Sequence, residues 1–304
     1  MRGSTGYFDR WKGILKSGEL SEMARQSGFR KREPRKLTPR AFYWATVLSF
    51  GDGGPKRTLA GMARLASLFC GKPISRQGLH QRCTKAAVAF MRQACESLSQ
   101  RAAALPKGAL PGKLSAFEDL SLLDSTTIRL ADRLARRYPA CRHNVRKAAI
   151  KIHAQMSLTH QQTERIRMSA ERLHDRKGAP ISAWIKGRLL LFDLGYFDYS
   201  LFMTILEYGG AFLSRLKTSA NGTIVAVRSG CHARHVGGPL NRSIYEDALV
   251  DLDAAFGSGE RRIVLRVVGV FNPDLGDLHW YVTSLAPEDF SPEEIAQVYR
   301  LRWQ

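Results

Sequence analysis

Two periodicities divide the chain. After the GDGGP turn, RTLAGMARLASLF sets Leu59, Met62, Ala63, Leu65, Ala66, Leu68 and Phe69 at helical spacing until CGKP breaks the run. In ISRQGLHQRCTKAAVAFMRQACESL, Ser75 is placed to cap a second helix whose polar side carries Arg76, Gln77, His80, Gln81, Arg82 and Lys85. Past residue 115 the apolar runs shorten to strand length: LSLLD, TTIRL, AAIKIHAQMSL, and ERIRMSAE, where Ile166 and Met168 alternate with Arg165 and Arg167. Asp175 to Lys186 reads as a helix, RLLLFD as a fully apolar strand, DYSLFMTILEYGG as a helix ended by glycine, and AFLSRLK as another strand. GTIVAVRS, RRIVLRVVGVF and HWYVTSL add β-like pieces. Ser291-Pro292-Glu293-Glu294 then opens a last helix, with serine as N-cap, proline in the first turn and glutamate at the capping-box position.

Strands, helix, strand, helix, strand in this order predict an α/β fold: a ribonuclease H-like mixed sheet flanked by helices. LPKGALPGKLS, with two prolines and two glycines at about residues 105–115, reads as a linker. The expected organisation is a basic helical region over 1–112 with a helix-turn-helix-like segment at about 57–95, an α/β domain over 113–218 plus 291–304, and a β-rich insertion over 219–290. Two amphipathic helices in any bundle give a similar pattern.

Charge sharpens this division. Of 47 basic and 27 acidic residues, residues 1–115 hold 22 and 6, so this third carries most of the net +20 and is the expected polyanion-binding region. KREPRKLTPR is its densest run and reads as a solvated or DNA-contacting arm. The five cysteines, Cys70, Cys83, Cys95, Cys141 and Cys231, form no C-x-x-C pair and suggest reduced thiols in a cytoplasmic protein. Cys231, His232 and His235 lack a second ligand pair and read as a polar loop. The longest apolar stretch, AFYWATVLSF, is too short to span a bilayer, so no membrane association is expected.

The candidate chemistry rests on Asp124 and Asp193, each at the end of an apolar run. A carboxylate held there by main-chain geometry suits divalent metal chemistry on phosphates. Either aspartate alone serves equally well to end a strand or make a turn. Tyr299 and Arg302, at i and i+3, share a helix face, and Trp303 beside them is expected to pack on the core. Glu293 and Glu294 sit in a first turn, where acids serve the helix dipole.

LLDSTTI around Asp124, FDLGYFDYSLF around Asp193, the AFLSRLK strand and the closing VYRLRWQ together resemble the DDE transposases of bacterial insertion sequences, specifically the insertion-sequence-4 group. The resemblance spans about residues 117–304. It implies magnesium, or manganese in its place, held by Asp124 and Asp193, with Tyr299 and Arg302 gripping phosphate. It also implies nicking of transposon ends and strand transfer into target double-stranded DNA by a homodimeric synaptic complex in the bacterial cytoplasm. Arg76, Gln77, His80, Arg82, Lys85, Arg215 and Lys217 are the candidate DNA contacts. The family's closing motif places its catalytic glutamate at position 306 and a lysine at position 313, both beyond Gln304, so the 304-residue form is expected to lack a third carboxylate. The rival expectation is a DNA-binding protein without catalysis that occupies transposon ends and inhibits intact transposase.

Overall fold

A computed structural model describes residues 15–51, 58–103, 108–141, 147–173, 175–178, 180–230, 235–241, 249–257, 259, 262–273 and 276–303. The chain divides into two compact units, Met1–Leu105 and Pro106–Gln304.

The first unit is helical: α1 (Ser17–Gln26), α2 (Pro39–Gly51), α3 (Leu59–Cys70), α4 (Arg76–His80) and α5 (Lys85–Ala103). Leu20, Phe42, Trp44, Met62, Leu79 and Phe90 lie in one buried cluster, with Phe29 stacked on Phe90 at 5.2 Å between ring centres. Phe29 and Leu37 thus tie the segment between α1 and α2 to this core while Lys31, Arg32, Arg35 and Lys36 stay exposed, and α1 was not visible in the hydrophobic pattern. Thr58 caps α3 through Gly61 N–H (3.1 Å), and Gly71 ends it in the left-handed region at φ +62°. Ser75 caps the next helix as expected, through Gly78 N–H (3.0 Å). That helix, however, stops at His80. Thr84 Oγ1 accepts from Ala87 N–H (3.3 Å) and starts a new helix, so the expected long recognition helix is two helices joined by a turn.

The second unit is one nine-stranded sheet flanked by helices. Its elements are β1 (Asp119–Arg129), β2 (Ala149–Ser157), β3 (Gln162–Ala170), α6 (Asp175–Gly178), β4 (Arg188–Phe192), α7 (Tyr199–Glu207), β5 (Ala211–Arg215), β6 (Thr223–Ser229), β7 (Leu249–Phe256), β8 (Ile263–Asn272), β9 (Asp277–Thr283) and α8 (Pro292–Arg300). The strand order is β3-β2-β1-β4-β5-β9-β8-β7-β6. β1, β4 and β5 run parallel, whereas β2 and β3 pair antiparallel beside them, which is the expected ribonuclease H-like arrangement. LSLLD and TTIRL are one strand rather than two. The β-rich stretch after residue 219 does not build a sheet of its own, because β9 pairs with β5 and carries β8, β7 and β6 onto the same sheet. The helix expected over Asp175–Lys186 shrinks to α6: proline at 180 has no amide hydrogen to continue it, and Gly178 lies so close to His153 that a Cβ would sit 2.2 Å from the ring.

Each sheet face has its own core. Leu123, Leu190, Phe192 and Phe212 pack under Leu201, Phe202 and Ile205 of α7. Leu120, Leu122, Leu189, Leu191 and Leu213 pack under Ile295, Ala296, Val298 and Tyr299 of α8. β1 and β4 are buried on both faces over these residues, which is why they read as continuous apolar runs. Ser291 and Glu294 form the predicted capping box of α8.

Among the described residues no helix is long and apolar enough to cross a membrane. Cys70, Cys83, Cys95 and Cys141 are free thiols, while Cys231 and His232 lie outside the described residues.

Candidate functional site

The two aspartates come together at one end of the parallel strands. In the β1–β4 register Leu123 is opposite Phe192, so Asp124 and Asp193 are the next residues off the same level of adjacent strands. Strand alternation puts Asp124 on the side of Leu122, and Asp193 continues the side of Leu191; both of those leucines face α8. Burial ends sharply here: β1 is buried from Asp119 to Leu123 and exposed at Asp124. Asp193 lies just past its strand, as expected, whereas Asp124 lies inside a strand that continues outward to Arg129.

α8 and the 3-10 turn that follows it, Leu301–Trp303, bring Tyr299 and Arg302 to the site. Arg302 places Nη2 3.8 Å from Asp124 Oδ1 and Nη1 4.0 Å from Asp193 Oδ1, so one guanidinium sits between the two carboxylates. Arg302 is almost fully buried while the carboxylates are 65% and 50% exposed, so the cation is fixed and the anions face solvent. Tyr299 orients it: the Tyr299 hydroxyl accepts from Arg302 Nη1 (2.6 Å) and donates to the Phe192 carbonyl (3.4 Å). Burial raises the Tyr299 phenol above its ordinary pKa, with Arg302 pulling the other way, so it stays a protonated hydroxyl. Tyr196, three residues past Asp193, donates to the Asp124 carbonyl (3.2 Å) and ties the two aspartate-bearing segments together. Its aromatic ring in LGYF was the available signal for this role. Trp303 corrects an expectation, being 77% exposed rather than packed on the core, with Arg302 5.2 Å from its ring centre.

The carboxylates suit a divalent cation. Asp124 Oδ1 accepts from Ser125 N–H (2.8 Å) and Asp193 Oδ1 from Leu194 N–H (2.6 Å), which fixes both groups. Among the described residues no donor engages either Oδ2, so each aspartate offers a hard oxygen ligand to solvent. A second group, Asp119, His160 and Glu164, brings its ligand atoms within 4.8 Å of one another at the other end of the buried run of β1. Its donor set fits a cation poorly. Arg188 Nη1 already bridges Asp119 Oδ2 (3.2 Å) and Glu164 Oε2 (2.8 Å), and Ser157 and Thr159 donate to Asp119 Oδ1. Glu293 and Glu294 are engaged at the helix start, through Ser291 and Lys113.

Arg215 stands level with Asp193, since Phe192 pairs with Ser214 in the β4–β5 register. Its guanidinium lies 5.9 Å from the Tyr281 ring centre, and Lys217 is exposed just beyond. In the first unit Arg76, Gln77, His80, Gln81, Arg82 and Lys85 are all exposed. Gln81, Arg82 and Lys85 line an open groove of about 1260 Å³ whose opposite wall is the segment from Gly28 to Pro39, with Arg30, Lys31, Arg32, Arg35 and Lys36. Glu33 is the one acid in the lining and pairs with Arg30. Some of the candidate DNA contacts therefore share a cationic groove with the loop before α2.

Comparison with known proteins supplies the family. A family model described as "Transposase DDE domain" matches residues 115–304. The chain belongs to the DDE transposase family. It is similar to the transposase for insertion sequence element IS231B of Bacillus thuringiensis subsp. berliner, 25% identical over 204 residues, covering 65% of this chain and 41% of the relative. The IS231C transposase of the same organism is 26% identical over the same shares. The chain thus spans about two fifths of the length of the curated relatives it matches. The family is one of metal-dependent polynucleotidyl transferases.

Proposed function

We propose that this chain acts in DNA transposition, cutting and joining transposon ends with Asp124 and Asp193 as its metal-holding carboxylates. The observation that carries the reading is the placement of two solvent-facing, backbone-fixed carboxylates at the same level of adjacent parallel strands, on either side of one buried arginine. Two-metal phosphoryl transfer demands such a pair. Asp124 and Asp193 would hold magnesium, which would supply activation of the attacking oxygen and offset charge on the leaving one. Arg302, preset by Tyr299, supplies a fixed positive group to hold a non-bridging phosphate oxygen between the carboxylates. In this reading Tyr299 positions Arg302 instead of reaching the phosphate, because both sides of its hydroxyl are already used.

Duplex DNA is the partner. The groove between the Gly28–Pro39 segment and the turn after α4 gathers seven cations, and Arg76, Gln77 and His80 stand exposed on α4 beside that turn. Pairing of two ends by two copies, and joining to target DNA, complete the proposed cycle.

The test is an end-cleavage assay with magnesium and a duplex carrying a transposon end, run on the 304-residue chain and on one extended through positions 306 and 313. The expected result is DNA binding by both, with cleavage in the extended chain that Asp193→Ala removes. Cleavage that survives Asp193→Ala overturns the assignment. Equal activity in the two chains points to a further carboxylate within residues 1–304.

A further inference from the structure

The connection leaving β1 is built as a cationic platform. β1 continues five residues past Asp124, paired only with β2 beyond Leu123, and ends in Arg129. Asp132–Leu134 then form a 3-10 turn, and the Tyr138 N–H bonds the Leu134 carbonyl (2.9 Å). Arg129, Arg133, Arg136 and Arg137 are all exposed, against one acid, Asp132. No acidic side chain is within ion-pair reach of any of the four among the described residues, and Arg137 is held 5.3 Å from the Tyr138 ring centre.

Its described residues are folded against the sheet, which separates them from an ordinary solvated charge run. The chain doubles back onto the start of β2: Ala149 N–H bonds the Tyr138 carbonyl (3.1 Å), Ala140 N–H bonds the Lys147 carbonyl (3.1 Å), and Pro139 bridges Ala148. Ala140 and Ala148 are buried, and Cys141 N–H donates to Glu171 Oε2 (3.1 Å) at the end of β3. Arginines carried on an anchored loop lose less freedom on binding than arginines on a loose one.

We propose that residues 129–138, at the start of the β1–β2 connection, are a second duplex-DNA contact, gripping the backbone to one side of the phosphate held at Asp124 and Asp193; it rests on the DNA-processing reading above. At roughly 3.3 Å per strand residue, Arg129 lies roughly 17 Å along β1 from Asp124. At about 3.4 Å per nucleotide, that is about five base pairs along a duplex following the strand. Planar guanidiniums match phosphate oxygens, so the contact proposed is to the backbone and independent of sequence.

The experiment measures the salt dependence of duplex binding by the full 304-residue chain. Each lost phosphate contact lowers the slope of log affinity against log salt by about 0.9. Arg133→Gln, Arg136→Gln and Arg137→Gln together should therefore reduce it by roughly two to three, with the melting temperature unchanged. The matching triple lysine variant should keep the wild-type slope. A glutamine variant with the wild-type slope overturns the proposal, and so does a lysine variant that loses as much as glutamine. Glutamine at Arg35, Lys36 and Arg82 in the first unit is the control: loss there with no loss in the platform variant removes the platform and spares the DNA-binding reading. A wild-type chain with no duplex affinity at low salt removes both.

Discussion

Strand β1 carries an aspartate at each end of its buried run, and the two are treated in opposite ways. Asp119 is 1% exposed, and both its oxygens are engaged: Ser157, the Thr159 hydroxyl and the Thr159 amide on one, Arg188 and Ser121 on the other. Asp124 sits five residues on with one amide hydrogen bond and an arginine at 3.8 Å. A buried carboxylate must be saturated or it costs several kcal/mol, so Asp119 has no spare lone pair for chemistry. A carboxylate left half-satisfied at a rigid, wet edge retains that capacity. Clusters of ligand-type residues alone would have selected the saturated end of the strand, since His160 and Glu164 accompany Asp119.

The comparison breaks first at activity. Asp124→Ala should abolish magnesium-dependent cleavage in the extended chain while leaving its urea midpoint and DNA affinity nearly unchanged. A large drop in midpoint would show that Asp124 is structural. Asp119→Ala should do the reverse and lower folding stability by about 3 kcal/mol, because it strips a buried network of its acceptor. The low end of the range is expected, since Arg188 keeps Glu164 as a partner. Denaturant titration decides it, and a loss under about 1 kcal/mol would mean the network relaxes around the gap.

Much of this was legible beforehand, for physical reasons. β1 and β4 announced themselves because they are buried on both faces, and the ends of those runs mark Asp124 and Asp193. The cap of α8 was legible in Ser291 and Glu294, and its i,i+3 spacing correctly joined Tyr299 to Arg302. Three things were not. β1 runs on past Asp124 because it pairs with β2, a long-range contact that local pattern does not reveal. That β6 to β9 join the same sheet rests on the β5–β9 pairing, a long-range contact that the order of the sequence does not show. The break at Gln81–Thr84 lacks a glycine or proline, so an amphipathic pattern ran straight through it.

Tyr196 sharpens the comparison at smaller scale. Its hydroxyl bonds the Asp124 carbonyl from a nearly fully buried ring. Tyr196→Phe should cost about 1 kcal/mol, the worth of one such bond. Its larger effect should fall on metal dependence, with more magnesium needed for half-maximal cleavage in the extended chain because the two aspartate segments are no longer tied. Unchanged magnesium dependence would leave Tyr196 a purely structural residue.

The smallest expected effect lies directly behind Asp124's strand. His153 faces Ser125 across the β1–β2 pairing, is 3% exposed, and bonds Ser169 through Nε2 (2.9 Å). Burial lowers its pKa below the ordinary 6.5; nearby Asp175 opposes this, and Lys151 and Arg167 reinforce it. The unfolded chain therefore binds this proton more readily than the folded one. Stability contributed by neutral His153 is complete above the unfolded pKa of about 6.5 and is lost as pH falls below it. Urea unfolding at pH 5.5 and 7.5 should show the wild type losing more stability on acidification than His153→Gln, whose side chain keeps a bond to Ser169 without a titrating group. Identical losses in the two proteins would mean that Asp175, 3.6 Å from Nδ1, stabilises the imidazolium enough to cancel burial. The reverse face of β1 would then be as well compensated electrostatically as its Asp119 end.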